Sequence, residues 1–276
     1  MFNHVVQINS RGSVFELFNL GELIKYKDLF VEFVSRDIKM RHKQTILGAA
    51  WVVFQPIVST VIFTVIFGLI LKVPSNNLPY PIFVFVALNF WNFFSSSITA
   101  ASGSLIGNES LIKKVYFPRI IIPIAAIATN LFDFVISSFF LFLILFAYKI
   151  IPSISVFLIL PLLVLLVLIS CLGIGLFLSA LNVRYRDVKQ ILPFFIQILI
   201  FLTPVFYPVT MVSEQNRWIL SLNPLTTAIE ILRGLLVGVV DVGFIEIAIS
   251  SSVAIFLLFV GLVYFKKTEK YFADVI

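Results

Sequence analysis

Six long stretches almost free of charge limit what this chain can fold into. They cover residues 45–71, 73–108, 120–148, 150–183, 190–213 and 247–265, and only Asp133 interrupts them. About 20 apolar residues cross the hydrocarbon core of a bilayer as a helix, so each stretch is long enough. With 60% hydrophobic and 12% charged residues, the chain has too little polar surface to cover a water-soluble fold. The expectation is an all-α integral membrane protein with six transmembrane helices.

Charge sets the orientation, because Lys and Arg collect on the cytoplasmic side of membrane proteins. With both termini inside, sixteen of the twenty basic residues fall on that side, and Lys72, Lys149, Arg217 and Arg233 fall outside. The net charge of +6 then reflects topology and contact with anionic lipid, not nucleic-acid binding. The first forty residues carry charges throughout and lack the apolar core of a cleavable signal. The chain divides into a cytoplasmic N-terminal segment (1–44), a six-span domain (45–265) and a cytoplasmic tail (266–276).

The stretches between spans are more specific. Residues 21–43 read as an amphipathic helix: Leu23, Tyr26, Phe30, Phe33 and Val34 recur at helical steps, with Lys25, Asp28, Glu32, Arg36, Lys39 and Lys43 opposite. Such a helix lies in the membrane interface, or is simply solvated ahead of the first span. Glu32 and Arg36 are spaced to pair. Residues 107–119 predict a short cytoplasmic helix, with Asn108 as its N-cap, Glu109 at its positive end and Pro118 as its stop. It suits docking to another protein, or is an ordinary connector. Residues 182–190 set Arg184, Arg186 and Lys189 beside one acid, Asp187. They match phosphate geometry, or set topology alone. Between the last two spans, apolar pieces at 218–222, 225–232 and 235–240 are too short to cross and are broken by Asn223, Pro224 and Gly234. They read as an external re-entrant pair that gates the outer face, with Glu230 and Arg233 paired on one helical side.

No catalytic constellation is present in the sequence. His4 and His42 have no metal-ligand neighbours, and no phosphate-binding glycine loop with its lysine occurs. Cys171 lies mid-span as an apolar filler. Asp133 is costly inside a span and faces protein or water, as a proton-coupling carboxylate, a path-lining group or a structural residue held by Asn130 and Ser137. Aromatic residues are abundant, with 31 Phe, 8 Tyr and 3 Trp. Trp51, Phe54, Phe90, Trp91, Phe93 and Phe94 concentrate in the first two spans, as interface belts or as faces that stack on sugar rings.

Four stretches carry a resemblance. They are Arg36-Asp37-Ile38-Lys39 with Thr45 to Trp51 and Gln55-Pro56; Lys114 to Arg119 with Pro123; Asn182 to Asp187; and Asn223-Pro224 with Arg233. In this order they resemble the membrane subunits of ABC-2 type exporters, in the Wzm-type branch that exports O-antigen, capsule and teichoic-acid polysaccharides. His42 departs from it, standing where that branch has tyrosine. The resemblance implies a homodimeric channel served by two copies of a separate ATPase, which holds the ATP and magnesium, so this chain binds no cofactor itself. It implies a coupling helix from Glu109, Ser110, Leu111, Lys113 and Lys114 to Tyr116 and Phe117. It implies a substrate glycan on undecaprenyl pyrophosphate, met at entry by Arg36, Arg41, Lys43, Arg184 and Arg186. Trp51, Phe54, Phe90, Trp91, Phe94 and Asp133 are then candidates to line the channel, and Trp218, Asn223, Pro224, Glu230 and Arg233 to gate it. The location implied is the bacterial inner membrane. A drug or lipid exporter of the same fold, a proton-coupled carrier using Asp133, and a glycan-processing membrane enzyme are the rival readings.

Overall fold

The computed structural model describes residues 24–42 and 50–272; His4 and Lys43 lie outside them. Among the described residues the regular structure is all helical. In chain order the helices are α1 (Lys27–His42), α2 (Ala50–Phe63, extended by the π-helical Thr64–Ile70), α3 (Tyr80–Gly107) and α4 (Glu109–Lys114). Then come α5 (Ile121–Ala147), α6 (Ile154–Arg184), α7 (Val188–Leu202), α8 (Arg217–Leu220), α9 (Pro224–Val237) and α10 (Phe244–Glu269). Extended α2, α3, α5, α6 and α10 are each long and apolar enough to cross a membrane.

The expected fifth span departs from a single rod. Helix α7 has 15 residues, a rise of about 22 Å, short of the roughly 30 Å hydrocarbon core. The cause is Pro204: the residue before a proline is pushed out of helical geometry, and Thr203 is extended with ψ 136°. Non-helical backbone at membrane depth survives only where protein satisfies it. Arg233 takes the carbonyls of Pro204 and Val205, at 2.7 and 3.0 Å, and the Tyr80 hydroxyl donates to that of Phe206 at 2.8 Å.

Helix α3 is the hub. It is the least hydropathic of the five long helices and the most buried, with 78% of its apolar stretch buried. The two properties belong together: a helix surrounded by protein needs no lipid-facing side and tolerates polar groups that find partners. Asn89 donates to Ser138 on α5 at 2.9 Å, and Asn182 on α6 donates to the Ser102 carbonyl at 2.9 Å. Helix α6 is the most hydropathic and only 28% buried over the same length, as a lipid-facing helix should be.

A second core closes the end of the bundle that carries α4. Phe33, Leu105, Ile112, Phe117, Ile121, Leu176, Phe265 and Phe272 are all buried there. Arg119 ties the α4–α5 connection to the end of α10, donating its side chain to the Glu269 carbonyl and its backbone N–H to the Glu269 carboxylate at 3.2 Å. At the opposite end, the segment Glu214–Leu220 and helix α9 meet at 116°, as the short apolar pieces predict. Gly234 does not break α9, however. The helix runs through it and ends at Gly238, whose φ of 86° is the left-handed value that glycine supplies without strain. Gly234 instead clears the way for the returning chain: a Cβ there would meet the Val239 carbonyl oxygen at 2.8 Å.

Candidate translocation site

Helix α1 does not stand apart from the bundle. It climbs alongside α5, with Phe33 against Phe117 at 5.9 Å between ring centres. Arg41, near its far end, donates to Asp133 at 2.7 Å and to Asn130 at 3.0 Å. Asp133 is twelve residues into α5, about 18 Å from its start. Two residues read separately, one as an entry cation and one as a channel carboxylate, are thus ion-pair partners. The expected pairing of Glu32 with Arg36 is replaced: Arg36 binds its neighbour Asp37 at 2.9 Å and lies over the Phe33 ring at 4.9 Å.

Arg41 borders three recesses. One, of about 310 Å³, opens between α2, α3 and α5; α2 contributes Trp51 and Gln55, α3 contributes Asn89, Asn92, Phe93 and Ser96, and α5 contributes Asn130, Asp133 and Ser137. A groove of about 590 Å³ runs toward α4 between α1, α3 and α5, past Arg36, Ser104 and Asn108. A third, of about 610 Å³, lies between α3 and α7, past Trp91, Thr99, Pro193 and Gln197. Arg41 is thus common to three recesses, one of which reaches toward the α4 end.

The aromatic candidates separate. Trp51 and Phe54 stack at 5.4 Å and are about half exposed on α2. Phe90 and Phe94 are buried in the chain's own core, where they serve packing and not a lining. Trp91 is buried, 5% exposed, and borders the third recess. The spacing of aromatics along a span does not say which side faces protein, and α3 is covered on nearly every side.

The α4 region also divides. Ile112 and Phe117 are buried anchors, whereas Tyr116 is 74% exposed and Ser110, Lys113 and Lys114 face outward. Leu111 is half-buried against the second core. Asn108 does not cap with its side chain, which donates back to the Ser104 carbonyl at 2.8 Å. The helix is held instead by Lys113 on Glu109 at 2.6 Å. That hydrogen bond, and then the Lys113 charge, keep the Glu109 carboxyl below its ordinary pKa, with a further pull from Arg186. Arg184 and Arg186 are exposed, Arg186 within reach of Glu109 on α4, and they line neither the groove that Arg36 and Arg41 share nor the other two recesses beside Arg41. The cations expected at one entry site fall into two groups.

At the α8–α9 end, Glu230 and Arg233 pair at 2.8 Å, as their spacing predicts. Arg233 is 4% exposed and also binds the Phe83, Pro204 and Val205 carbonyls. Asn223 caps α9 by accepting from the Leu225 N–H at 3.1 Å and donates to Thr203 at the end of α7 at 2.9 Å. Trp218 is half exposed.

Comparison with known proteins gives a consistent picture. The family model described as "ABC-2 type transporter" matches residues 28–237. The "O-antigen export system permease protein RfbA" of Klebsiella pneumoniae is 32% identical over 260 residues, covering 94% of this chain and 98% of that protein. The protein of the same name in Myxococcus xanthus is 30% identical over 75% of this chain and 79% of its own length. The "Polysialic acid transport protein KpsM" of Escherichia coli is 25% identical over 85% of this chain and 91% of its own length.

Proposed function

This chain belongs to the ABC-2 type transporter family, and on that premise we propose that it is the membrane subunit of an ATP-driven exporter of undecaprenyl-pyrophosphate-linked polysaccharide. The observation that carries the reading is the near end-to-end match to proteins named for O-antigen export. Two copies form the channel in the bacterial inner membrane, with both termini in the cytoplasm and two copies of a separate ATPase below. The ATPase holds ATP and magnesium, whose binding and hydrolysis supply the free energy.

The residues of this chain divide the labour. The exposed Tyr116, Ser110, Lys113 and Lys114 take the push of the ATPase. Buried Ile112 and Phe117 pass it into the core shared by α1, α3, α5, α6 and α10, since packed side chains move together. Arg119 carries it to the end of α10 through Glu269. Exposed Arg184 and Arg186 meet the pyrophosphate at the surface, and Arg36 and Arg41 meet it in the groove above. ATP drives this only by favouring one state of the dimer over the other.

Deletion of the gene tests the reading: surface polysaccharide disappears and lipid-linked glycan accumulates on the cytoplasmic leaflet. Normal surface polysaccharide in the deletion strain would overturn it.

Asp133→Asn distinguishes the export reading from a proton-coupled carrier. Both members of the Arg41–Asp133 pair are partly exposed, at 38% and 20%, and asparagine still offers Arg41 an acceptor oxygen. Export measured by surface polysaccharide is expected to fall no more than a few-fold. Complete loss with a normally folded protein would revive the carrier. Asp133→Leu leaves Arg41 without that acceptor and is expected to do more harm.

A further inference from the structure

We infer that the recess between α2, α3 and α5 binds one hydroxyl-rich ring, a sugar unit of the transported chain, inside a single protomer. The inference rests on the export reading and adds a specific subsite to it.

Depth makes the recess unusual. Asn92 is twelve residues into α3 and Ser137 sixteen residues into α5, roughly 18 to 24 Å from each helix start. Polar groups at such depth are costly unless something satisfies them. Those nearby that serve the fold are already used: Asn89 binds Ser138, and Asn130 binds Arg41 and the Ala126 carbonyl. Others are held in reserve. The Ser137 hydroxyl, in a residue 4% exposed, has no hydrogen-bond partner among the described residues. The side-chain amides of half-buried Asn92 and of Gln55, which is exposed on α2, border the same recess and make no side-chain hydrogen bond to other described residues.

The unspent groups select the ligand. An amide offers donors and an acceptor together, which suits a hydroxyl that also does both. Trp51, about half exposed on α2, borders the same space, and an aromatic ring suits the C–H side of a sugar ring. Among the described residues that line the recess, Arg41 and Asp133 are the charged ones, and they pair with each other. Its volume of about 310 Å³ is at the lower edge of small-molecule sites, enough for one ring and not for a folded chain. The groove that reaches the α4 end shares Arg41 with this recess.

Thiol labelling in native membranes tests this. The native Cys171 is buried and leaves a quiet background. Asn92→Cys and Gln55→Cys are each exposed to iodoacetamide in membranes containing the complete transporter. One set comes from cells making lipid-linked glycan with the partner ATPase blocked, the other from cells making none. Both cysteines are expected to label readily without glycan and several-fold more slowly with it, while Ser213→Cys on the exposed surface stays constant. Equal rates in the two membranes, no labelling in either, or an equal change at Ser213→Cys would overturn the site. Protection by added undecaprenyl pyrophosphate lacking sugar would overturn the sugar assignment in favour of the phosphate. If the deletion strain loses surface polysaccharide while the labelling rates are equal, only the recess has failed; if that strain keeps its polysaccharide, the export reading has failed.

Discussion

Arg233→Met is expected to destabilise the folded protein by about 3–5 kcal/mol, the cost of removing one partner from a buried charged network. The guanidinium has five N–H groups, and all five are engaged. Nε and Nη2 donate to the Phe83 carbonyl at 3.1 and 2.8 Å, Nη2 also donates to Val205, and Nη1 donates to Pro204 and to Glu230. The group also lies 3.3 Å from the centre of the Phe83 ring. These acceptors belong to the start of α3, the irregular exit from α7 and α9 itself. Methionine fills the volume but leaves three carbonyls and the Glu230 carboxylate to find other donors.

A series of variants separates a clamp from a mere charge. Lysine keeps the charge but has no planar fork, so Arg233→Lys is expected to lose most of the same stability. Glu230→Gln keeps an acceptor and is expected to cost about 1 kcal/mol. Thermal unfolding in detergent, followed by the fraction remaining monodisperse, gives the order wild type, Glu230→Gln, Arg233→Lys, Arg233→Met. A melting temperature for Arg233→Met close to wild type would show that the irregular α7 exit is held by something else.

These two residues show how far the sequence could be read. Glu230 and Arg233 sit three apart on one helix, and a local rule pairs them. The Phe83 carbonyl lies 150 positions away, and no local rule reaches it. The same limit hid the partnership of Arg41 with Asp133, 92 positions apart; spacing offered only Asn130 and Ser137. The long spans were legible because each is an unbroken apolar run and a bilayer demands a fixed length. The inward helix was harder, since lipid and protein interior are both apolar. A signal was present in α3, whose Asn89, Asn92 and serines at 95–97, 102 and 104 are too polar for a lipid-facing rod. The shortness of α7 was also written in Pro204, which mattered more than the uncharged length of the run around it.

Gly261→Val carries the other large expectation, because no side chain stands between α6 and α10 where they cross. A Cβ on Gly261 would lie 2.9 Å from the Gly173 carbonyl carbon, 3.0 Å from its Cα and closer still to its oxygen. From the other side, a Cβ on Gly173 would meet the Leu258 nitrogen at 2.5 Å. Small residues let membrane helices approach backbone to backbone, and nothing flexible is present to yield. Even alanine must push the helices apart by roughly 1 Å to restore an ordinary carbon–oxygen contact of about 3.3 Å. Separation would loosen Phe177 on Tyr264, at 4.8 Å, and the buried Phe265. Through the Glu269–Arg119 link it would also slacken the mount of α4. Overpacking typically costs about 1–3 kcal/mol; with a helix backbone on both sides, Gly261→Ala is expected at the top of that range and Gly261→Val beyond it. Gly103→Ala is the matched control, because a Cβ there meets nothing within 4 Å and alanine favours a helix over glycine by about 1 kcal/mol. The expected order of detergent melting temperatures is Gly103→Ala at or above wild type, then Gly261→Ala, then Gly261→Val. If Gly261→Val melted with wild type, α6 and α10 would not meet backbone to backbone, and the route from α4 to α10 would lose its support.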